Sequence, residues 1–410
     1  MKKIISDGML YVAGELAVKL FPFLLLPFLS RTLGPAGYAD ISLFNTYVAI
    51  LFIFIGINSS VAITRFEFTD KQYPSGYFFW GGGFSATLIT IVFLLVASFF
   101  KNPILIFSVI GAYLQVIYTN LLSIKQCKKE TNNYIVTQLF NACFSFILTI
   151  CLLSIFNADY KLRVYAVLIG YVISVVLSMW ISYQWIKIDK NFFLNFLDVI
   201  KKLAIFGAPL IIHNLSFFAR SGLDRILIDK FYSKSELGNY SAAFQLGMII
   251  TVMLMAINKA MTPHIYESLT ENKLYKKDFL KMFALYFVLC ILMSVINLSI
   301  PEYIYTLILG DKYSGIKLFL IVMVPAFLSQ GFYMLMSTTC FYYNKNKQVS
   351  FITFLGGIIH CVILYFTCKY MNVHYVPLVL LFSNAIISLL IYFSVFRKID
   401  FTHNKINVKV

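Results

Sequence analysis

The sequence has few charged residues, and this scarcity excludes most classes of soluble protein. Of its 410 residues only 13% are Asp, Glu, Lys or Arg, whereas soluble globular proteins carry about 25%. Hydrophobic residues make up 60% of the chain, and the mean hydropathy is +0.80. A water-soluble domain of this length could not bury so much apolar surface. The composition therefore predicts a polytopic membrane protein.

Further absences narrow the function. The seven cysteines include no CxxC pair, so we predict buried free thiols and no metal site. No GxxxxGK[ST] motif for nucleotide phosphates is present, and every connection between apolar runs is too short for an ATPase, kinase or sensor domain. No small-residue cleavage site follows the N-terminal MKKIISDGML, so we predict a retained first span and not a signal peptide.

Apolar runs of about 20 residues, the length that crosses a bilayer, recur along the whole chain. They predict an all-α membrane protein of about twelve transmembrane helices. The longest cytoplasmic connection, 187–202, divides the chain into two six-helix lobes, 1–200 and 201–410. The predicted spans are about 8–29, 38–62, 76–99, 103–124, 134–156, 162–186, 203–229, 239–261, 279–300, 316–340, 349–370 and 374–396.

Basic residues concentrate in alternate connections between these spans. With the N-terminus in the cytoplasm, 21 Lys and Arg residues lie on the cytoplasmic side and nine on the outer side. This asymmetry follows the positive-inside rule, so we predict that both termini are cytoplasmic. The net charge of +16 is then a consequence of membrane topology, and we expect no nucleic-acid partner.

Two short sequences recur about 200 residues apart. Leu33–Tyr38 precedes span 2, which ends near Ile57–Asn58, and Leu237–Tyr240 precedes span 8, which contains Ile257–Asn258. Since each half has an even number of spans, the halves would enter the membrane in the same orientation. Repeated halves of this kind are typical of transporters.

Charged side chains inside predicted spans are costly, so they mark candidate functional sites. Those of spans 1 and 7 are Glu15, Lys19, Arg220, Asp224, Arg225 and Asp229. Their spacing of four predicts that Arg220 pairs with Asp224, and Arg225 with Asp229. Lys19 and Arg220 lie at similar depth, about 25 Å along their helices at about 1.5 Å per residue. A path lined by such cations suits an anionic head group such as pyrophosphate.

Two more cations lie towards the cytoplasmic ends of spans. Arg65 in span 2 and Lys259 in span 8 either line the same path or snorkel to the interface. Span 7 is interrupted by Gly207, Pro209 and Gly222, which weaken a helix and are typical of transporter binding sites.

Four stretches, in this order, resemble a known family: Leu33–Tyr38, Ala62–Phe66, Phe206–Leu210, and Leu223–Leu227 with Leu237–Ser241. In these stretches, in length and in span order the chain resembles the Wzx-type polysaccharide flippases of the multidrug/oligosaccharidyl-lipid/polysaccharide exporter (MOP) superfamily.

The resemblance implies two six-helix lobes in a V around a cavity lined by spans 1, 2, 7 and 8. It implies alternating access in the bacterial inner membrane, with no enzymatic activity and no cofactor. The substrate would be an undecaprenyl-pyrophosphate-linked oligosaccharide, such as an O-antigen unit of lipopolysaccharide, flipped to the outer leaflet. A gradient of H⁺ or Na⁺ would drive it, and a polymerase and a chain-length regulator would be partners beside the lipid bilayer.

Residue roles follow from position and from the resemblance together. We expect the lipid pyrophosphate to contact Lys19, Arg65, Arg220, Arg225 and Lys259. The supporting or coupling carboxylates would be Glu15, Asp224 and Asp229. The structural motif residues would be Gly34, Pro35, Gly37, Gly207, Pro209, Gly238 and Tyr240. Arg65 and the Asp224–Arg225 pair fall on family motif positions, whereas Lys19 and Arg220 are proposed from position alone.

Two alternatives stay open. A drug/cation antiporter of the same superfamily should carry acidic residues deep in the first lobe, where only Glu15 qualifies and Lys19 offsets it. A membrane-embedded glycosyltransferase or polymerase needs a large outer loop with catalytic groups. The longest outer connection, 301–315, carries only Glu302 and Asp311 as acids.

The charge asymmetry predicts membrane topology. Reporter fusions after Lys234 and after Lys409 should report opposite sides of the membrane, because the first lies in an outer connection and the second in a cytoplasmic tail. Paired alkaline phosphatase and fluorescent-protein fusions measure this directly. The same side reported at both positions would contradict the twelve-span arrangement.

Overall fold

The computed structural model describes residues 2–70, 72–271, 273 and 276–399, without the side chains of residues 2–13, 190 and 276. Within these residues all regular structure is helical and no β-strand occurs, which confirms the predicted all-α class. The α-helices are α1 (Lys2–Gly56), α2 (Ser59–Thr69), α3 (Ser75–Phe99), α4 (Pro103–Cys127), α5 (Thr131–Ile155), α6 (Tyr160–Ile181), α7 (Tyr183–Ile186), α8 (Lys190–Ser221), α9 (Leu223–Phe231), α10 (Lys234–Thr270), α11 (Lys276–Ser299), α12 (Glu302–Leu309), α13 (Ile316–Tyr342), α14 (Asn346–Tyr370) and α15 (Val376–Ser394).

Ten helical segments of the described residues are long and apolar enough to cross a membrane. Nine correspond to predicted spans 3–6 and 8–12, and the tenth, Gly14–Thr69, covers predicted spans 1 and 2 in 56 residues. At about 1.5 Å per residue this segment is about 84 Å long, against about 30 Å of hydrocarbon, so it is long enough for two crossings. Predicted span 7 is not among the ten, so the count of twelve stays a prediction. The cytoplasmic termini also stay a prediction, since residue 1 and residues 400–410 lie outside the described residues.

Helix α1 is divided at Gly34. This residue has φ 67° and ψ −179°, a left-handed conformation that glycine adopts without steric strain. Pro35 follows, and a residue before proline is disfavoured in the helical region. The Gly34–Pro35 pair therefore separates α1 into two arms, as expected for a connection between spans 1 and 2.

A second break, between α1 and α2, lies at Ile57 and Asn58, whose φ angles are 42° and 56°. Side chains and backbone of neighbouring helices hold it. Asn58 Nδ2 donates to the Gly207 carbonyl oxygen (3.2 Å), and Asn214 Nδ2 donates to Asn58 Oδ1 (2.6 Å). A Cβ atom at Gly207 would overlap the Ile57 carbonyl oxygen. Helix α8 can therefore approach the break this closely only because residue 207 is glycine.

Residues up to Ile226 form one compact unit, with α4 at its centre. Helix α4 packs against α1, α2, α3, α5 and α6, and α8 packs against α1, α2 and α3. Aromatic rings fill much of this core: Phe66 stacks on Phe78 with ring centroids 4.7 Å apart, and Phe78 and Phe79 are almost fully buried. The described part of predicted span 7 up to Ser221 thus packs within the first unit.

Residues from Leu227 onward form the second compact unit, built around α13, which packs against α10, α11 and α15. Its core includes Phe279 and Phe396, with ring centroids 5.4 Å apart. The sequence repeat is not matched by equal backbone geometry. Asn258, the counterpart of Asn58, lies inside the uninterrupted helix α10 and accepts a hydrogen bond from Thr338 Oγ1 (3.2 Å).

The approach of α8 to the α1–α2 break predicts that Gly207→Ala destabilises the first unit. The added methyl group would displace the Ile57 carbonyl, at a cost of about 2 kcal/mol. The measurement is the thermal unfolding midpoint of the purified protein in detergent. Gly83→Ala is the matched control, because its new Cβ would meet only Ile117 Cδ1 at an ordinary 3.5 Å. Equal midpoints for the two variants would contradict this account of Gly207.

Candidate functional site

The second and third motif stretches pack against each other in the first unit. The rings of Phe66 and Phe206 lie 5.7 Å apart, edge to face. The Arg65 guanidinium carbon lies 4.8 Å from the centroid of the Phe206 ring, a cation–π contact. Arg65 is exposed, and it forms no ion pair with any described residue. The fold therefore orients this guanidinium against an aromatic face and leaves its N–H groups accessible.

Helix α8 ends at Ser221, with Gly222 as its C-cap, and α9 begins at Leu223. Asp224, at the start of α9, is only 5% exposed. Its Oδ1 accepts from the Arg225 backbone N–H (2.9 Å) and lies 3.3 Å from Arg225 Nη1. The same Nη1 donates to the Ser221 carbonyl oxygen (2.6 Å). Asp224 and the end of α8 together hold the Arg225 guanidinium.

The predicted Arg225–Asp229 pair is wrong. Asp229 Oδ1 instead lies 2.7 Å from Lys234 Nζ, because the Arg225 guanidinium points back to the end of α8. Gly222, the C-cap of α8, lies between Arg220 and Asp224 in the sequence. The Arg220 guanidinium carbon lies 5.4 Å from the Phe217 ring centroid.

The remaining predicted cations lie on two different units. Lys19 is partly buried on α1, and within the described residues no ion pair joins it to Glu15 or to another acid. Lys259 is exposed on α10 of the second unit, which also contains Gly238 and Tyr240. Tyr240 is 2% exposed and its ring packs edge to face on Phe319. The role of Tyr240 in the structure is therefore core packing.

The first motif stretch ends at Tyr38. This residue follows Gly34, Pro35 and Gly37 on the second arm of α1 and is 8% exposed. The first, second and third motif stretches therefore all lie in the first unit, whereas the fourth stretch begins in the first unit and ends in the second.

The structure shows two further cations that face the interior of the first unit. Arg163 Nη1 donates to Ser145 Oγ (3.0 Å) and Thr149 Oγ1 (2.7 Å) of α5. Lys125 is fully buried, and its Nζ donates to Thr137 Oγ1 (2.6 Å). One feature of the sequence could have indicated that Arg163 faces the interior.

That feature is a polar stripe, a row of polar side chains along one face of the otherwise apolar helix α5. Asn141, Ser145 and Thr149 are spaced four residues apart in α5, so they lie on one helix face. Polar side chains in a membrane helix face the protein interior and find partners there. A stripe of three predicts polar partners on a neighbouring helix, and the structure shows them on α6: Arg163 for Ser145 and Thr149, and Ser174 for Asn141.

A polar cluster anchors the connection before predicted span 7. Lys202 Nζ lies 2.8 Å from Asp70 Oδ2 and 3.4 Å from Asp198 Oδ2, and it also lies over the Tyr73 ring. The Tyr73 hydroxyl donates to Asp198 Oδ2 (3.0 Å). Burial alone would raise the pKa of Asp70, but hydrogen bonds from Lys202 and backbone N–H groups lower it below the ordinary value. The hydrogen bond to Asp70 raises the pKa of Lys202.

Tyr77 and Trp80 donate hydrogen bonds at the start of the same connection, 187–202. The Tyr77 hydroxyl donates to Asp189 Oδ1, and this bond lowers the pKa of the Asp189 carboxyl. Trp80 Nε1 donates to the Ile186 carbonyl oxygen (2.7 Å). Asp189 also caps α8 by accepting from the Phe192 N–H (3.2 Å). The connection between the predicted lobes is therefore fixed to the first unit.

Solved structures share this helical arrangement. An inward-facing multidrug resistance MATE family transporter of the MOP superfamily superposes with a TM-score of 0.66 at 15% identity, over 92% of this chain and 93% of that one. A MATE transporter of Vibrio cholerae, VcmN, superposes with a TM-score of 0.61 at 15% identity, over 98% of both chains. The fold is that of the membrane transporters of the MOP superfamily.

Sequence comparisons identify the family to which the chain belongs, which the shared fold alone does not. The family model described as "Polysaccharide biosynthesis protein" matches residues 4–269, more than half of the chain, and the MatE model matches residues 209–366. An "Uncharacterized membrane protein" of Haemophilus influenzae is 31% identical over 87% of this chain and 88% of its own length. The "Lsg locus putative protein 1" of the same species is 29% identical over 95% and 98%. The chain belongs to the polysaccharide biosynthesis protein family, which confirms the resemblance found in its motifs.

The Asp70–Lys202 pair predicts a pH-dependent stability. Because the pKa of Asp70 is lowered by folding, its contribution is present above about pH 3.9 and is lost as pH falls through the lower folded value. Because the pKa of Lys202 is raised, its contribution is present below about pH 10.4 and is lost as pH rises through the higher folded value. Asp70→Asn should therefore lower the stability of the purified protein by about 1 kcal/mol between these limits.

Thermal unfolding at pH 3.5, 7 and 9 measures this effect. The deficit of Asp70→Asn should be full at pH 7 and 9 and smaller at pH 3.5. Glu271→Gln is the control, because Glu271 and its partner Lys273 are more exposed and their pair lies 2.6 Å apart at the surface. An Asp70→Asn deficit that is independent of pH, or matched by Glu271→Gln, would refute the role of this pair.

Proposed function

We propose that this protein flips an undecaprenyl-pyrophosphate-linked oligosaccharide, an O-antigen or similar surface polysaccharide unit, from the cytoplasmic to the outer leaflet of the bacterial inner membrane. One structural observation supports this function in addition to the family membership. Arg65, a motif residue, presents an exposed guanidinium that no described carboxylate neutralises. Pyrophosphate oxygens match the planar fork of an arginine and form charge-assisted hydrogen bonds with it.

The position of Arg65 fits the direction of transport. It lies on α2, at the predicted cytoplasmic end of span 2, where a lipid made in the cytoplasmic leaflet would enter. The Phe206 ring lies against the guanidinium and orients it, so less rotamer freedom is lost when an anion binds. Arg225, Lys19, Arg220 and Lys259 would contact the head group further along the path.

The energy source in this proposal is an ion gradient of H⁺ or Na⁺, with no chemical step on the substrate and no cofactor. Glu15 and Asp224 are the coupling candidates, because both are acidic groups inside predicted spans. A polymerase and a chain-length regulator would take over the flipped lipid at the outer leaflet.

A second candidate is a drug/cation antiporter, favoured by the MatE match over residues 209–366 and by the MATE fold. An exposed arginine at a site of cargo entry opposes this reading, since it would repel a cationic drug. The family match over residues 4–269 includes Arg65 and favours the anionic lipid.

Gene deletion in the native host separates the two candidates. A flippase mutant should lose surface polysaccharide and accumulate lipid-linked units on the cytoplasmic side, and a plasmid copy should restore both. An antiporter mutant should keep its polysaccharide and become sensitive to cationic drugs. Normal polysaccharide in the deletion strain would refute the flippase proposal.

A charge series at position 65 tests the head-group contact. We expect surface polysaccharide to fall in the order wild type, Arg65→Lys, Arg65→Gln, Arg65→Glu. Loss of one charge-assisted hydrogen bond of about 1.5 kcal/mol predicts a flipping rate about tenfold lower in Arg65→Gln. Protein abundance in the membrane must be matched, because a purely structural role would reduce abundance and leave the rate per molecule unchanged.

Lys187→Gln is the control for nonspecific loss of positive charge, since Lys187 is exposed on the connection before α8 and belongs to no predicted span. This variant should flip at the wild-type rate. Equal rates per molecule in the Arg65 series would show that Arg65 does not bind the substrate.

A further inference from the structure

A groove in the surface of the first unit lies between α3, α4 and α6, and it has a volume of about 340 Å³. Gly83, Ile117 and Val175 form its buried base. Trp80 and Phe84, which are 38% and 44% exposed, form its open rim. A Cβ atom at Gly83 would meet only Ile117 Cδ1 within 4 Å, at 3.5 Å, so open space begins directly at this glycine.

The three polar side chains of the lining already have partners within the protein. Thr87 Oγ1 donates to the Gly83 carbonyl oxygen (2.9 Å) and lies 3.1 Å from the Tyr113 hydroxyl oxygen. Trp80 Nε1 donates to the Ile186 carbonyl oxygen (2.7 Å). A ligand in the groove would therefore meet aromatic and aliphatic surface, which favours a hydrocarbon chain.

The aromatic side of the groove is held in place by its neighbours. The Phe84 ring packs edge to face on Phe196 of α8, with ring centroids 4.9 Å apart. The Trp80 ring packs edge to face on Phe79, with ring centroids 5.2 Å apart. Because these rings are fixed before a ligand arrives, binding costs little side-chain entropy.

The groove extends from the predicted cytoplasmic interface into the hydrocarbon. Met179 lines it near the end of α6, and the following Trp180 and Tyr183 are 79% and 64% exposed. Exposed Trp and Tyr side chains at the end of a span are typical of the membrane–water interface. Along α3 the lining continues from Phe79 to Thr87, about 12 Å at about 1.5 Å per residue. This length is close to one leaflet, about half of a hydrocarbon core of about 30 Å.

We propose that this groove binds one acyl chain of a phospholipid of the cytoplasmic leaflet, which is retained as a resident lipid of the first unit. A phospholipid places its head group at the interface and its chains across one leaflet, as the groove requires. The undecaprenyl chain of the proposed substrate is much longer than one leaflet is deep. The groove contains none of the cations assigned to the substrate path, so this site is independent of the proposed flipping function.

Fluorescence quenching of the purified full chain in detergent tests this site. The chain has three tryptophans, so Trp180→Phe with Trp185→Phe leaves Trp80 as the single fluorophore, at the groove. Phosphatidylcholine with brominated acyl chains should quench Trp80 in a saturable way, with the stoichiometry of a single site. Trp80→Phe with Trp185→Phe is the control, because Trp180 lies outside the groove lining and is 79% exposed. Its quenching should rise in proportion to the lipid content of the micelle.

A variant that fills the groove tests its location. In the protein with Trp80 alone, Gly83→Leu should abolish the saturable quenching, because the leucine side chain would occupy the base of the groove. Val92→Leu is the matched control, since Val92 is 59% exposed on α3 outside the groove. If Gly83→Leu does not fold, Phe84→Ala replaces it. Phe84→Ala should raise the lipid concentration for half-maximal quenching about fivefold.

Competition distinguishes the two sources of a hydrocarbon chain. Unbrominated phosphatidylcholine should relieve the quenching of Trp80, and undecaprenyl phosphate at the same concentration should not. Stronger relief by undecaprenyl phosphate would assign the groove to the substrate chain and refute the phospholipid. Quenching of Trp80 that never saturates, or that both Gly83→Leu and Phe84→Ala leave unchanged, would overturn the proposal.

Discussion

Inside a bilayer, every polar group that a helix releases must find its partner within the protein, because no water is there to replace it. The first unit depends on this constraint at the break between α1 and α2. Asn58 bonds to the backbone of Gly207 and to Asn214, and the adjacent Ser59 Oγ donates to Asn120 Oδ1 on α4 (2.8 Å). These bonds fix α8 against α2. The contact of Phe206 with Phe66, and the orientation of Arg65, follow from that placement.

Three arginines of the first unit meet this need for a partner in different ways. Arg225 has a carboxylate neighbour, Asp224, and a helix-end carbonyl. Arg65 has aromatic faces and accessible surface. Arg163 has the hydroxyl groups of Ser145 and Thr149. A guanidinium that is already neutralised binds another anion weakly, so of these arrangements that of Arg65 is the one that fits the proposed anionic substrate.

Sequence reasoning predicted the features that depend on composition and on local backbone chemistry. Long apolar runs predicted the helices and the connection between spans 1 and 2, and the structure places its break at Gly34–Pro35, where glycine before proline favours a non-helical conformation. It could not predict the break at Ile57–Asn58, since the same dipeptide at Ile257–Asn258 remains helical. The difference lies in long-range partners, Gly207 and Asn214, that spacing along the chain does not reveal.

The candidate site likewise contains residues that local sequence predicts and contacts that depend on long-range partners. Arg65 and Asp224–Arg225 were found because they lie in recognisable motifs. The Arg225–Asp229 pair was wrong because helical spacing gives proximity and not partner choice, which here was decided by the end of α8. Sequence reasoning did not single out Arg163, because it lies in the first turn of α6, at the end of an apolar run. Only the facing helix, with its polar stripe, determines which way such a residue points.

The fold and the cargo are therefore specified by different parts of the sequence. Apolar patterning is enough to give a fold shared with multidrug transporters at 15% identity, since packing tolerates many combinations of hydrophobic side chains. Charges are too costly in the membrane to vary in the same way. A chain that uses this fold for an anionic lipid must place cations where a cationic cargo would be repelled. Arg65 is exposed and pairs with no carboxylate of the described residues, which is the character that the proposed anionic substrate requires.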